Sequence, residues 1–181
     1  MKWRRSAGSS RLPVVSEISP LDPERIIVTL HRRKVRFVLI GALAARLHGF
    51  PRLTADADIT PATDSANLGR LAKALNDMSA KIFTESVPEG LAFDCSATTL
   101  ARASMWNLAT DAGRIDIAFM PAGTDGYDDL ASGAEKFEAY NVTFLAASVA
   151  DIIRSKKAAN RAKDREDVAI LEAMQRKLAR G

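Results

Sequence analysis

The chain has 181 residues and a formal net charge of +4, with 47% hydrophobic and 27% charged residues. That composition belongs to one soluble globular domain and excludes fibrous and disordered classes. A single cysteine, Cys95, and two histidines, His31 and His48, exclude a disulfide framework and a Cys-rich zinc site and argue against a histidine-based metal centre.

Residues 1–20 hold Gly8, Ser9, Ser10, Pro13 and Pro20 without a sustained period, which predicts a flexible N-terminal arm. Asp22 is a natural N-cap and Pro23 suits a first helical position, so a helix with Ile26, Ile27 and Leu30 inward is expected next. Val35 to Ile40 reads as a buried strand, Gly41 as a turn, and Ala42 to His48 as a short helix closed by Gly49. A second strand is predicted over residues 54–60. Ser65 is expected to cap an amphipathic helix carrying Leu68, Leu71, Ala72, Leu75 and Met78. Lys81 to Thr84 suits a short strand, Pro88-Glu-Gly90 a turn, and Thr98 to Ser104 a helix. Asp111-Ala-Gly113 between two alternating runs, 105–110 and 114–120, predicts a hairpin. Pro121 to Asp129 reads as a loop and Asn141 to Leu145 as a strand. Ser148 is expected to cap a helix with Val149, Ile152 and Ile153 inward; a basic link over 160–163 leads to a last helix beginning at Asp164, with Val168, Leu171, Met174 and Leu178 on its apolar side. The order predicts an α/β (α+β) fold, one mixed sheet covered by helices. Its expected parts are a core over 21–147 and a basic helical segment over 148–181 packed on it.

The longest apolar run, Phe37 to Ala45, is too short to span a bilayer, and no signal-peptide core follows the basic start Met1-Lys-Trp-Arg-Arg. A cytoplasmic protein without a membrane partner is therefore expected. Residues 1–36 hold nine Lys/Arg against three Asp/Glu, residues 37–151 eight against fifteen, and residues 152–181 nine against four. An acidic middle between two basic ends suits a catalytic centre flanked by phosphate-binding surfaces; solvated helix faces are the plainer alternative.

The segment Arg52-Leu-Thr-Ala-Asp56-Ala-Asp58-Ile-Thr60 carries the chemistry. In a strand, positions i and i+2 face the same way, so Asp56 and Asp58 aim two carboxylates at one point. Adjacent anions repel, and Mg²⁺, a hard cation that takes oxygen ligands, relieves the repulsion. Asp116, between Ile115 and Ile117, is expected to join them as third acid, by metal ligation, as a base, or paired with Arg114 or Arg52. Gly41 and Ala42 offer backbone N–H groups for close approach of phosphate. Arg52 has the planar donor fork that suits phosphate, and Thr54 adds a hydroxyl on the acidic face. Lys156, Arg161 and Lys163 are candidates for triphosphate binding, while Asp164 and Asp167 have a capping role as an equal alternative.

Gly41-Ala42, Arg52-x-Thr54-x-Asp56-x-Asp58, Gly113-Arg-x-Asp116 and Lys156-x4-Arg161-x-Lys163-Asp164-x2-Asp167 together resemble the AbiEii-type nucleotidyltransferases, and more closely the mycobacterial-type MenT toxin branch. The resemblance spans about residues 35–172 and departs at Ala42, where the family usually has glycine or serine. It implies a polymerase-β-like nucleotidyltransferase fold and a toxin of a toxin–antitoxin pair. It also implies Mg²⁺-dependent transfer of nucleotides, pyrimidines from CTP or UTP, onto the tRNA 3′ acceptor end, which blocks aminoacylation. On the same resemblance Asp56 and Asp58 hold Mg²⁺, and Lys156 and Asp167 are active-site residues. Thr54 is then a site of phosphorylation by a kinase-like antitoxin encoded by an adjacent gene. The alternatives are adenylyl transfer to a protein or small molecule, and a decayed nucleotide-binding module.

Overall fold

The computed structural model describes residues 19–178; the arm expected over 1–20 lies almost wholly outside them. Among the described residues, eight strands form one mixed sheet, and seven helices accompany it. The first helix, α1 (Pro23–Arg32), is capped by Asp22, whose side chain accepts from the Arg25 N–H, and buries Ile26, Ile27 and Leu30. Strand β1 (Phe37–Ile40) runs into α2 (Gly41–Leu47). Strand β2 is Asp56–Pro61, and α3 is Ser65–Asp77.

Beyond α3 come β3 (Lys81–Thr84), β4 (Val87–Leu91) and α4 (Ala97–Leu100). The hairpin is β5 (Met105–Thr110) and β6 (Gly113–Ala118). The chain continues through α5 (Tyr127–Gly133), β7 (Glu135–Ala139), β8 (Val142–Ala146), α6 (Val149–Ala159) and α7 (Ala162–Leu178). Spatial order is β4-β3-β5-β6-β2-β1-β8-β7. The β1/β2, β5/β6 and β7/β8 pairs are antiparallel, whereas β2/β6 and β1/β8 are parallel.

Ala57, Ile59, Leu108, Ile115 and Ile117 are fully buried and belong to one core cluster with the apolar faces of α1 and α3. Alternation therefore turns Asp56, Asp58 and Asp116 to the opposite face. Fully burying a side chain of this size contributes about 1.5–3 kcal/mol, which fixes the register strongly.

Several expectations are corrected. Asp64, not Ser65, caps α3, accepting from the Asn67 N–H; the acid one position earlier has the extended backbone that a cap requires. The second strand begins at Asp56, so Thr54 lies in coil before it. Pro88 to Gly90 sits within β4, an edge strand where a missing proline N–H breaks no interior ladder; the turn falls at residues 85–86. The helix expected over 98–104 ends at Leu100 and starts from Ser96, whose hydroxyl accepts from the Thr99 N–H. Helix α5 begins within the expected loop, and β7 was not foreseen: its Glu-Lys-Phe-Glu-Ala sequence is charged because it is an edge. Helix α7 begins at Ala162 rather than Asp164.

Candidate active site

The β2–β6 register sets Asp58 directly opposite Asp116, and Asp56 opposite Arg114. The β5–β6 register places Asn107 opposite Asp116 and Met105 opposite Ala118. One transverse row across the open face is thus Asp58, Asp116 and Asn107. All three acids line one cavity of about 510 Å³, together with Gly41, Ala42, Arg52, Thr54, Lys156, Arg161, Lys163 and Asp167. Of the candidate site residues read from the sequence, all but Asp164 line this cavity.

The carboxylates differ. Burial, then repulsion by Asp56 and Asp116, pushes Asp58 up to about 7. Burial also raises Asp116, although the neighbouring Arg114 opposes the shift. Asp116 Oδ1 is buried without a hydrogen-bond partner among the described residues. Arg114 Nη2 lies 3.6 Å from Asp116 Oδ2 and 3.9 Å from Asp56 Oδ2, and its guanidinium carbon sits 4.1 Å from the centre of the Phe83 ring. Thr54 Oγ1 donates to Asp56 Oδ1 at 2.7 Å. No three of the acids close into a ready cluster of metal ligands among the described residues. The donor set nevertheless fits a hard divalent cation: it is all oxygen, and it contains mutually repelling carboxylates and one orphaned oxygen.

Gly41 has a role beyond the turn. Its φ is +66°, and a Cβ built on it would lie 2.2 Å from Asp58 Oδ2. The absent side chain is where the Asp58 carboxylate rests.

The cations arrive from the C-terminal helices and from the coil before β2, and they are held by two buried acids. Lys156 Nζ donates to Asp167 Oδ2 at 2.8 Å and to Asp164 Oδ1 at 3.3 Å. Arg52 Nη1 donates to Asp167 Oδ1 at 2.7 Å, and Arg161 Nε to Asp164 Oδ2 at 2.7 Å. Burial alone would raise both acids, but these hydrogen bonds outweigh it and hold them below the ordinary carboxylate range. Asp164 also accepts from the Arg161 backbone N–H, three residues back. It is thus the reciprocal partner of a capping box rather than an N-cap, and Asp167 does not cap at all: it pairs with Lys156 and Arg52. Lys163 lines the cavity without an ion pair among the described residues.

Asn107, Met105, Ser155 and the 121–124 loop were missed. Asn107 follows from the hairpin register once Asp116 is placed. Ser155 stands three positions after Ile152 and four before Ala159, on one helix face with them, and that spacing is visible in the sequence.

No protein-family model matches the chain, and no curated protein matches it in sequence. Among solved structures, it is similar to the lincosamide antibiotic adenylyltransferase LnuA bound to lincomycin, with a TM-score of 0.55 and 15% identity over 86% of this chain and 99% of that one. Weaker likenesses reach a Thermotoga maritima protein described as a nucleotidyltransferase (TM-score 0.49, 16% identity, 90% of this chain and 98% of that one). They also reach the antibiotic-resistance factor ANT(2'')-Ia (TM-score 0.46, 16% identity, 86% and 89%). No described helix is long and apolar enough to cross a membrane. The mixed sheet, its flanking helices and the likeness to LnuA together give this chain the nucleotidyltransferase fold.

Proposed function

We propose that the protein transfers a nucleotide from an NTP to an acceptor hydroxyl. The observation that carries this reading is the meeting of Asp56, Asp58 and Asp116 with Lys156, Arg161, Lys163 and Arg52 in one cavity. Asp56, Asp58 and Asp116 would hold Mg²⁺, which when bound neutralises triphosphate charge and makes the attacking hydroxyl more acidic. Asp116 would accept that hydroxyl's proton, a role supported by its Oδ1 having no hydrogen-bond partner among the described residues. Lys156, Arg161 and Lys163 bind the β- and γ-phosphates and stabilise departing pyrophosphate. Asp164 and Asp167 hold two of these cations in place rather than acting on the reacting atoms.

For the acceptor we favour RNA, with the tRNA 3′ end as target and a toxin–antitoxin role. The sequence resemblance to the AbiEii and MenT toxins and the basic character of residues 152–181 support it. Phosphorylation of Thr54 would then silence the enzyme, because its hydroxyl already touches Asp56 and a phosphate would add up to two charges there. The likeness to LnuA supports a second reading, adenylyl transfer to a small hydroxylated molecule.

Incubation with each α-labelled NTP, Mg²⁺ and either total tRNA or a panel of hydroxylated antibiotics separates the two. Label on tRNA from CTP or UTP is expected. Label on the small molecules alone favours the second reading, and label transfer that persists in Asp56→Ala and Asp58→Ala rejects the site.

A further inference from the structure

The two sides of the acid row differ in character. In the sheet, β6 lies between β2 and β5, whereas β1 lies on the far side of β2. Helix α6, which carries Lys156, packs on α2, the helix that follows β1. Lys156 therefore reaches the acids from the β1 side. On the β5 side the cavity is lined by Met105, Asn107 and Ala118, none of which is charged.

Strand register gives that second side its geometry. Asn107 is the direct partner of Asp116, and Met105 of Ala118. Directly opposed residues of an antiparallel pair project to the same face, with Cβ atoms about 4.5–5.5 Å apart. A group hydrogen-bonded to the Asp116 carboxylate is thus a neighbour of the Asn107 amide. Asn107 is exposed, and its side chain makes no hydrogen bond among the described residues. One flank of the pair is occupied, since the Arg114 guanidinium carbon sits 4.1 Å from the centre of the Phe83 ring. The other flank is open: Ala118 is small, and Met105 is 59% exposed.

The chemistry decides which substrate meets this side. In nucleotidyl transfer, the attacking and leaving oxygens lie roughly in line through the phosphorus. Pyrophosphate leaves toward Lys156, on the β1 side, so the attacking hydroxyl approaches from the β5 side, past Asp116 and Asn107. A carboxamide both donates and accepts hydrogen bonds, and so does a hydroxyl.

We infer that Asn107 is an acceptor-specificity residue, holding the hydroxyl next to the attacking one, so that the site selects a vicinal diol. The inference rests on the nucleotidyl-transfer reading. Two kinds of acceptor carry that group: the terminal ribose of an RNA, and the sugar ring of a small glycoside. In the first, Asn107 binds the 2′-hydroxyl, the group that separates RNA from DNA. Met105, two residues back on the same face, offers apolar surface to the base or aglycone attached to that sugar.

The test compares acceptors that differ by this one hydroxyl, using the full chain, Mg²⁺ and each α-labelled NTP. One pair is tRNA ending in ribose and the same tRNA ending in 2′-deoxyribose, both with a free 3′-hydroxyl. The other is a glycoside with adjacent ring hydroxyls and its monodeoxy analogue. Wild type is expected to favour the diol member of the pair it labels by about 5-fold in acceptor kcat/KM, the size of one hydrogen bond. Asn107→Ala is expected to erase that preference by losing activity on the diol member alone. Its Kd for NTP, read by calorimetry, and its melting temperature stay at the wild-type values. The pair that takes label identifies the source of the diol. Equal use of both members by wild type, or a preference that survives Asn107→Ala, would overturn the role of Asn107 and leave the transfer reading standing. No label on any acceptor would overturn the transfer reading and this inference with it.

Discussion

At the residue scale, Gly41 and Asp58 form a single unit. A methyl group on residue 41 cannot coexist with Asp58 Oδ2 at 2.2 Å, and an alanine at φ +66° is strained in any case. Gly41→Ala should lower kcat about 100-fold or more by displacing the carboxylate, with a stability cost of about 1–2 kcal/mol seen in thermal unfolding. Asp58 itself opposes folding when charged. Its native pKa of about 7 lies above the unfolded value, so protonation stabilises the native state, and that contribution is lost as pH rises through about 7. Asp58→Asn should therefore be more stable than wild type above that pH, by on the order of 2 kcal/mol. The two proteins should converge near the pH at which an unfolded aspartate titrates. Urea unfolding across pH measures this, and equal stability of the two proteins at high pH would contradict the buried-charge account.

At the element scale, the coil before β2 is tied to α7 by Arg52–Asp167, and α6 is tied to α7 by Lys156 with Asp164 and Asp167. Removing a carboxylate strands cations in a poorly solvated place. Asp167 and Lys156 are both largely buried, with side-chain exposures of 5% and 12%, whereas Arg52 is 46% exposed. Asp167→Ala should thus destabilise the protein by about 2–4 kcal/mol, and Arg52→Ala by less than about 1 kcal/mol, in chemical unfolding. Arg52→Ala should instead raise the NTP KM, because its free donors face the cavity. Asp164 and Asp167 stabilise the fold above the ordinary carboxylate range, and this contribution falls away as pH drops through their lowered values. Acid unfolding should accordingly start in the α6–α7 region, which hydrogen exchange can follow.

At the scale of the whole molecule, cation binding should couple to folding. Millimolar Mg²⁺ should raise the melting temperature, and more above about pH 7 than below it, because the Asp58 proton must leave before the cation can bind. Asp56→Ala, Asp58→Ala and Asp116→Ala should each abolish the rise; a rise that persists in all three would place the cation elsewhere. The mixed α/β class, α1 with its Asp22 cap, and the 105–118 hairpin were all legible in the sequence. The propensity, capping and turn chemistry that specify them are local. Strands β4 and β7 were not, because an edge strand buries little and so carries no alternating apolar signature. The sequence alone also determined that Asp56 and Asp58 share a face, since strand geometry alternates every residue. Only the tertiary structure decided that Asp116 stands opposite Asp58, since strands far apart in the chain are paired by core packing rather than by spacing. Tertiary packing likewise assigned Asp164 and Asp167 to holding cations: a carboxylate's role depends on which charges are buried beside it, and α6, the link before α7 and the distant coil before β2 supply those here.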